Sequence, residues 1–307
     1  MATKFRIATR ESKLALWQAH YVQDRLIEAH PGIETEIVGM TTQGDRDKRS
    51  PLSQIGGKGV FVKELEQALL LGEADIAVHS MKDVPSELPN GLIIKAICER
   101  ADPRDAFVSR KYKRIEDMPA GGRIGSSSLR RRLQLKSRFP DLSYLELRGN
   151  VGTRLEKLDS GEFDGIILAA AGLSRLGLGT RISEHISTQY CIPSAGQGAV
   201  GIESRTGDPR VNDLLQAINH SPTEFCVSCE RLVTLRLGAN CNLPIAVFAE
   251  LDGDSIHFTS FVSDRVGQKV LNVNRSGPVA EGKQLADQVA STLLEKGAAE
   301  LIKDAEH

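Results

Sequence analysis

The sequence has no apolar run approaching the roughly 20 residues that cross a bilayer, so a membrane-spanning chain is not expected. Its N-terminal stretch, MATKFRIATRESK, carries charges throughout and lacks the apolar segment of an export leader, which points to a cytoplasmic protein. Cysteine is scarce: Cys98, Cys191, Cys226, Cys229 and Cys241 form an odd, scattered set, which argues for reduced thiols and against a disulfide framework. Cys226 and Cys229 make a lone CxxC with no second pair and no histidine at finger spacing. Two ordinary helical cysteines are expected there, and no metal site. An excess of charge of either sign is also missing. With 39 Lys and Arg against 40 Asp and Glu the net charge is -1, which speaks against a nucleic-acid partner.

What is present is the composition of a soluble globular protein, 40% hydrophobic and 26% charged. The 307 residues suffice for two domains or three small ones. The first hundred residues alternate between strand and helix periods. KFRIAT, IETEIVGM, ADIAVHS and LIIKAICE read as strands. Ser12 caps a first helix expected to bury Leu14, Trp17, Tyr21 and Leu26, and FVKELEQALL makes a second. Glu64 and Glu66 are read there as part of an acidic helix face. Such βαβ order implies a mainly parallel sheet. Between these elements, TTQGDRDKRSPLSQIGGKG is too long and polar to be packed structure.

The pattern repeats from about residue 105: strands at DAFVS, GGRIGS and SYLELRG, helices at SSLRRRLQLKSRF and VGTRLEKLDSG, then a buried strand at FDGIILAAAG. PSAGQGAVGIES reads as a strand that returns to the first unit, giving two α/β units with a ligand cleft between them. From Ser221 the character changes. SPTE opens a helix with a capping box and Pro at its first position. The runs PIAVFAEL, SIHFTSFV and QKVLNVN, separated by DGD and DRVG, then predict an antiparallel three-stranded sheet closed by a helix over about 279–296.

Several segments carry chemistry. In GSSSLRRR a strand ends, hydroxyls follow and a helix begins, so backbone N–H groups and the Arg130 and Arg131 forks are available to a carboxylate or phosphate. A capped helix with a solvated basic face is the plain alternative. Arg123, Arg132, Arg148 and Arg154 lie nearby in sequence, and their convergence favours a site for a small polyanion. HSMKDVP delivers His79, Ser80, Lys82 and Asp83 to the C-terminal end of an apolar strand, the edge where α/β sheets collect ligands. Asp83 there can stabilise a cation and move protons, against the alternative of a surface ion pair, and His79 is read as structural. IGGKGVF leaves flexible loop and anion clamp equally open around Lys58. Arg10 and Ser12, at the end of the first strand, offer another helix start for a carboxylate. Cys241, in GANCNLP, fits an exposed loop thiol, although a buried core cysteine is the commoner case.

Together HSMKDVP, GKGVFVKELE, GSSSLRRR, RGNVGTR and PSAGQGAVGIE, in this order and across nearly the whole chain, resemble the porphobilinogen deaminase (hydroxymethylbilane synthase) family. The resemblance implies two α/β domains similar to type II periplasmic binding proteins and a small α+β C-terminal domain with a three-stranded antiparallel sheet. The corresponding boundaries are 1–99 with 199–219, then 100–198, then 220–307. It also implies a dipyrromethane cofactor held by a thioether on Cys241, with Asp83 as the catalytic carboxylate. Ser80, Lys82, Ser126, Ser127, Ser128, Arg130, Arg131 and Arg154 match cofactor-side positions. Arg10, Ser12, Lys58, Phe61, Arg148, Arg175 and Gln197 match substrate-side positions. The expected partner is porphobilinogen alone, with neither membrane nor nucleic acid, and the expected state is a monomer. One departure is visible: where relatives read Gly-Gly-Cys or Gly-Ser-Cys, this chain reads Ala239, Asn240, Cys241, Asn242, Leu243, Pro244. Two rivals belong to other classes. A solute-binding protein accounts for the anion site but not for the loop thiol. A cysteine-dependent transferase needs a base beside Cys241, and no histidine is placed for it.

Overall fold

The computed structural model describes residues 4–46, 59–238 and 243–306. Lys58, Cys241 and the departure at Ala239–Asn242 lie outside the described residues. In chain order the elements are β1 (Phe5–Arg10), α1 (Lys13–Ala29), β2 (Thr35–Met40), α2 (Gln43–Arg46), α3 (Lys63–Leu70), β3 (Ile76–Ser80) and β4 (Leu92–Ile97). There follow β5 (Asp105–Val108), β6 (Arg123–Gly125), α4 (Leu129–Arg138), β7 (Ser143–Leu145), α5 (Val151–Asp159), β8 (Gly165–Ala169), α6 (Ala170–Arg175) and β9 (Glu184–Ile186). The chain ends with β10 (Val200–Arg205), α7 (Pro209–Gln216), α8 (Ser221–Arg236), β11 (Ile245–Asp252), β12 (Ser255–Ser263), β13 (Val270–Pro278), α9 (Gly282–Glu295) and α10 (Ala298–Glu306).

These elements fall into two compact units, residues 1–101 with 199–225, and residues 102–198 with 226–307. In the first, the sheet order is β2-β1-β3-β10-β4, parallel except that β10 runs against β3 and β4. The second unit repeats that order as β7-β6-β8-β5-β9, with β5 antiparallel to β8 and β9. It also carries the antiparallel sheet β11-β12-β13. These are the mixed α/β sheets and the three-stranded sheet that the resemblance implies.

Both mixed sheets are buried on two faces, as strand alternation requires. In the first unit Ile7, Ile76 and Val78 pack on one side with Val22 and Leu26 of α1, whereas Ala8 and Ala77 pack on the other with Leu65 and Leu69 of α3. In the second, Ile166 and Leu168 face Leu155 and Leu158 of α5, and Phe107 and Ile167 face Leu135 of α4. The antiparallel sheet rests on α4 through Ala246 and Phe261 against Leu133. The Glu230 carboxylate, fully buried on α8, accepts from the backbone N–H groups of Gly196 (2.7 Å) and Ala249 (2.9 Å). It thereby fastens the glycine-rich turn to β11.

Five sequence expectations are corrected. The buried face of α1 is Ala15, Gln18, Ala19, Val22 and Leu26, because small residues let the helix approach β1 and β3. Trp17, 36% exposed, instead faces outward and stacks on Tyr21, centroids 5.4 Å apart, while Tyr21 is half-buried against the same core. Glu66 does not belong to a solvated face; it is 7% exposed. The FDGIILAAAG strand stops at Ala169 and turns directly into α6. At α8 the capping group is His220, whose Nδ1 accepts from Thr223 N–H at 3.3 Å, while Glu224 accepts from Asn219. The closing helix is followed by a second, α10, after a break at Gly297 in the left-handed region (φ 93°).

Candidate active site

The Asp83 turn is set by the sheet beneath it. Ser80 ends β3 paired with Val200, and Met81 N–H donates to Ala199 O at 3.0 Å. Residues 81–83 then make one tight turn, which leaves Lys82 and Asp83 half-buried. The turn sits close because position 201 is glycine: a Cβ there would lie 1.9 Å from Met81 Sδ. Asp83 lines a recess of about 50 Å³ with Arg10, Ser12, Gln18, Phe61, Ser80 and other residues of the same unit. The recess thus brings together five of the sequence-derived candidates: Asp83, Arg10, Ser12, Ser80 and Phe61.

Each wall has its own support. Ser12 is half-buried and caps α1 by accepting from Ala15 N–H at 3.3 Å. Ser80 is hydrogen-bonded to Gln18 at 2.8 Å. The Arg10 guanidinium stacks over the Phe61 ring at 4.2 Å and grips Asp45 through two hydrogen bonds, one of 2.9 Å. Burial would raise the Asp45 carboxyl, but the Arg10 bond and charge outweigh it and hold the group below its ordinary range. His79 also lines the recess, and its Nε2 meets Glu203 Oε2 at 2.9 Å, both side chains buried. Burial, together with the Glu203 charge, pushes Glu66 up to about 7, against opposition from His79 and Lys63.

The second unit holds the hydroxyl and arginine cluster. Ser128 caps α4, accepting from Arg131 N–H at 3.4 Å, and Ser126, 1% exposed, accepts from Ser128 N–H at 3.3 Å. Ser127 is half-buried between them. The basic run is not a solvated face. Arg130 and Arg131 are 4% and 6% exposed, and both close on Asp105, at 2.8 and 2.7 Å. Arg131 also donates to Gln197 Oε1 (3.3 Å), and Gln197 Nε2 donates to Asp105 (2.9 Å). Arg175 donates to Gly198 O at 2.7 Å, and Arg154 Nε to Gly149 O at 2.7 Å. Arg148 and Arg154 are half-buried, in the turn before α5 and in its first turns.

The charge count gives this cluster its chemistry. Two guanidiniums occupy the first turn of α4, where the helix macrodipole is positive and no acidic residue stands. One carboxylate, Asp105, faces them. The remainder is positive and suits a ligand that carries acid groups, while the carboxylate of Asp83 suits N–H donors or a cation. Sequence reasoning missed Gln18, Asp45 and Asp105, which act as partners to candidate residues. None sits in a motif, and only the fold brings them there.

Two family models cover the chain. The one described as "Porphobilinogen deaminase, dipyromethane cofactor binding domain" matches residues 5–213, and "Porphobilinogen deaminase, C-terminal domain" matches residues 224–295. Among solved structures, the chain is similar to the BvgS periplasmic VFT2 domain of Bordetella pertussis (17% identity, 70% of this chain and 86% of that one, TM-score 0.41). It is also similar to a periplasmic substrate-binding protein of an ABC transporter from Coxiella burnetii (14% identity, 74% and 96%, TM-score 0.44). Neither likeness bears on activity. The chain belongs to the porphobilinogen deaminase family, transferases that condense four porphobilinogen molecules on a dipyrromethane primer and release hydroxymethylbilane for tetrapyrrole synthesis.

Proposed function

We propose that Asp83 is the catalytic carboxylate of this hydroxymethylbilane synthase and that Cys241 carries its dipyrromethane. The observation that supports the assignment of Asp83 is its place on a closely packed turn, beside Arg10 and Ser12 at one recess. When bound, the dipyrromethane supplies the free α-carbon at which the chain grows. Asp83 accepts the pyrrole N–H groups and stabilises the positive charge that develops as ammonia leaves porphobilinogen. Such preorganised stabilisation is usually the largest catalytic contribution. Ser80, Ser126, Ser127, Ser128, Lys82, Arg130, Arg131 and Arg154 hold the acid arms of the primer. Arg10, Ser12, Lys58, Phe61, Arg148, Arg175 and Gln197 orient those of the incoming substrate. Each ring brings two more carboxylates, which is why the reaction calls on so many donors.

The chain is further read as three domains with the boundaries given above, and as a cytoplasmic monomer that binds neither nucleic acid nor membrane. No helix among the described residues is long and apolar enough to cross a membrane. Light scattering should give one species near 33.4 kDa; a dimer would refute that part. The activity is tested by supplying porphobilinogen alone and following a product that closes to uroporphyrin I. With Asp83→Asn that product should vanish while the melting temperature stays within a few degrees. Near-normal turnover in this variant would remove Asp83 from the mechanism.

A further inference from the structure

Asp105 opens β5 and is 0% exposed, held among side chains of α4 and the turn after β9. Its carboxylate accepts four hydrogen bonds and makes one further ion-pair contact. Oδ1 accepts from Arg131 Nε (2.9 Å) and Gln197 Nε2 (2.9 Å), and a terminal nitrogen of Arg131 lies 2.7 Å from it. Oδ2 takes Arg130 at 2.8 Å and the Cys191 thiol at 3.2 Å. A carboxylate offers about four lone-pair sites, so this one is saturated. Burial works to raise its proton affinity, but the charges of Arg130 and Arg131 more than offset it and keep the group ionised.

The arrangement has a geometric consequence. Arginine side chains carry large rotamer freedom, and two cations in the first turn of α4 repel one another and the helix dipole. One shared carboxylate removes both problems. It fixes two guanidinium planes from a single point on a neighbouring strand, and Gln197 binds the same oxygen as Arg131. We propose that Asp105 is a positioning residue for the acid-binding site: it aims Arg130 and Arg131 at the carboxylates of primer and substrate without touching either. This rests on the reading that those arginines hold the acid arms. Asparagine at 105 keeps the size but presents one oxygen and an amide that itself donates. One guanidinium then faces a donor and must turn away.

The experiment compares Asp105→Asn with Arg131→Leu, using intact mass, steady-state kinetics and thermal melting on the whole chain. The inference predicts that Asp105→Asn lowers the fraction of chain carrying primer mass. It also predicts a KM for porphobilinogen raised at least about tenfold, the order of one lost charged contact, with kcat of the primed fraction within about threefold. A purely structural role would lower soluble yield and melting temperature while leaving KM of the folded fraction unchanged, and that result overturns the inference. Should Asp105→Asn fail to fold, Cys191→Val removes one donor from the same carboxylate at similar volume. It should raise KM about twofold with kcat unchanged; an unchanged KM counts against the proposal. If Arg131→Leu loses priming while Asp105→Asn primes and binds normally, the acid-site reading stands and the Asp105 role falls. If both variants behave as wild type, both readings fall together.

Discussion

In each mixed sheet the strand that runs against its neighbours carries one fully buried acid, Glu203 on β10 and Asp105 on β5, and the two are treated in opposite ways. Asp105 meets two guanidiniums, an excess of positive charge. Glu203 meets His79, its charge helps to push up the Glu66 carboxyl on α3, and its Oε1 has no hydrogen-bond partner among the described residues. A buried acid must be paired or neutralised. The second unit solves this with cations, which leaves a surplus that an anionic ligand can use. The first solves it by letting a neighbouring carboxyl keep its proton. Equivalent strands thus leave a surplus of positive charge in one unit and a protonated carboxyl in the other. The same backbone order supports both because the choice lies in side chains on the helices, Arg130 and Arg131 on α4 against Glu66 on α3.

The sharpest way to break this contrast is Asp83→Asn. Turnover should fall by about a thousandfold or more, equivalent to about 4 kcal/mol of transition-state stabilisation. Single-turnover kinetics check it, and a loss below tenfold would mean that the first unit does not carry the chemistry. Glu66→Gln tests the buried proton. Because the folded-state value of Glu66 is raised to about 7 from an ordinary 4.5, the neutral form favours the fold. Stability is therefore fully present below about pH 4.5 and falls as pH rises through 7, by about 3 kcal/mol in all. The glutamine variant should flatten that slope in melting curves taken from pH 5 to 8, and an unchanged slope would place the titrating group elsewhere.

A smaller effect is expected at Gly201→Ala, which drives a methyl group into Met81 Sδ. Overpacking of this kind costs about 1–3 kcal/mol and shifts the Asp83 turn. Urea melts should show the loss, and wild-type stability would show that Met81 simply moves aside. Least visible of all is Cys191. Burial first, and the Asp105 charge second, push its thiol up to about 12. Alkylation of this residue in the native enzyme at pH 8 should be undetectable by peptide mass mapping. Rapid labelling would show that the Asp105 cluster opens.

Much of this organisation was legible in the sequence because it is periodic or local. The β3 strand, the β11–β13 meander and the caps at Ser12 and Ser128 follow from alternation, turn residues and hydroxyls at helix starts. Asp83, Arg10, Ser12, Ser80 and Phe61 come together because they end strands or start helices on one sheet. The partners were not legible. Asp105 reads as the first residue of an ordinary strand, and nothing local says that α4, some 25 residues on, will place two arginines over it. Glu66 looks like one more acid on a charged helix, and its burial is known only once β10 has returned to the sheet from beyond residue 198. Likewise, Trp17 has helical spacing suited to a core, yet it stays exposed beside Tyr21 while Ala15 and Ala19 are buried. Pattern finds elements; pairing across strands of distant sequence decides which charges meet.

The proposed assignment of Asp83 and Arg131 meets its most direct test in the intact masses of three purified proteins: active wild type, Asp83→Asn and Arg131→Leu. Wild type and Asp83→Asn should both exceed the bare chain by two linked pyrrole units, the second without turnover, whereas Arg131→Leu should be mostly bare. Active enzyme at the bare chain mass, or a bare Asp83→Asn beside a fully loaded Arg131→Leu, would contradict it.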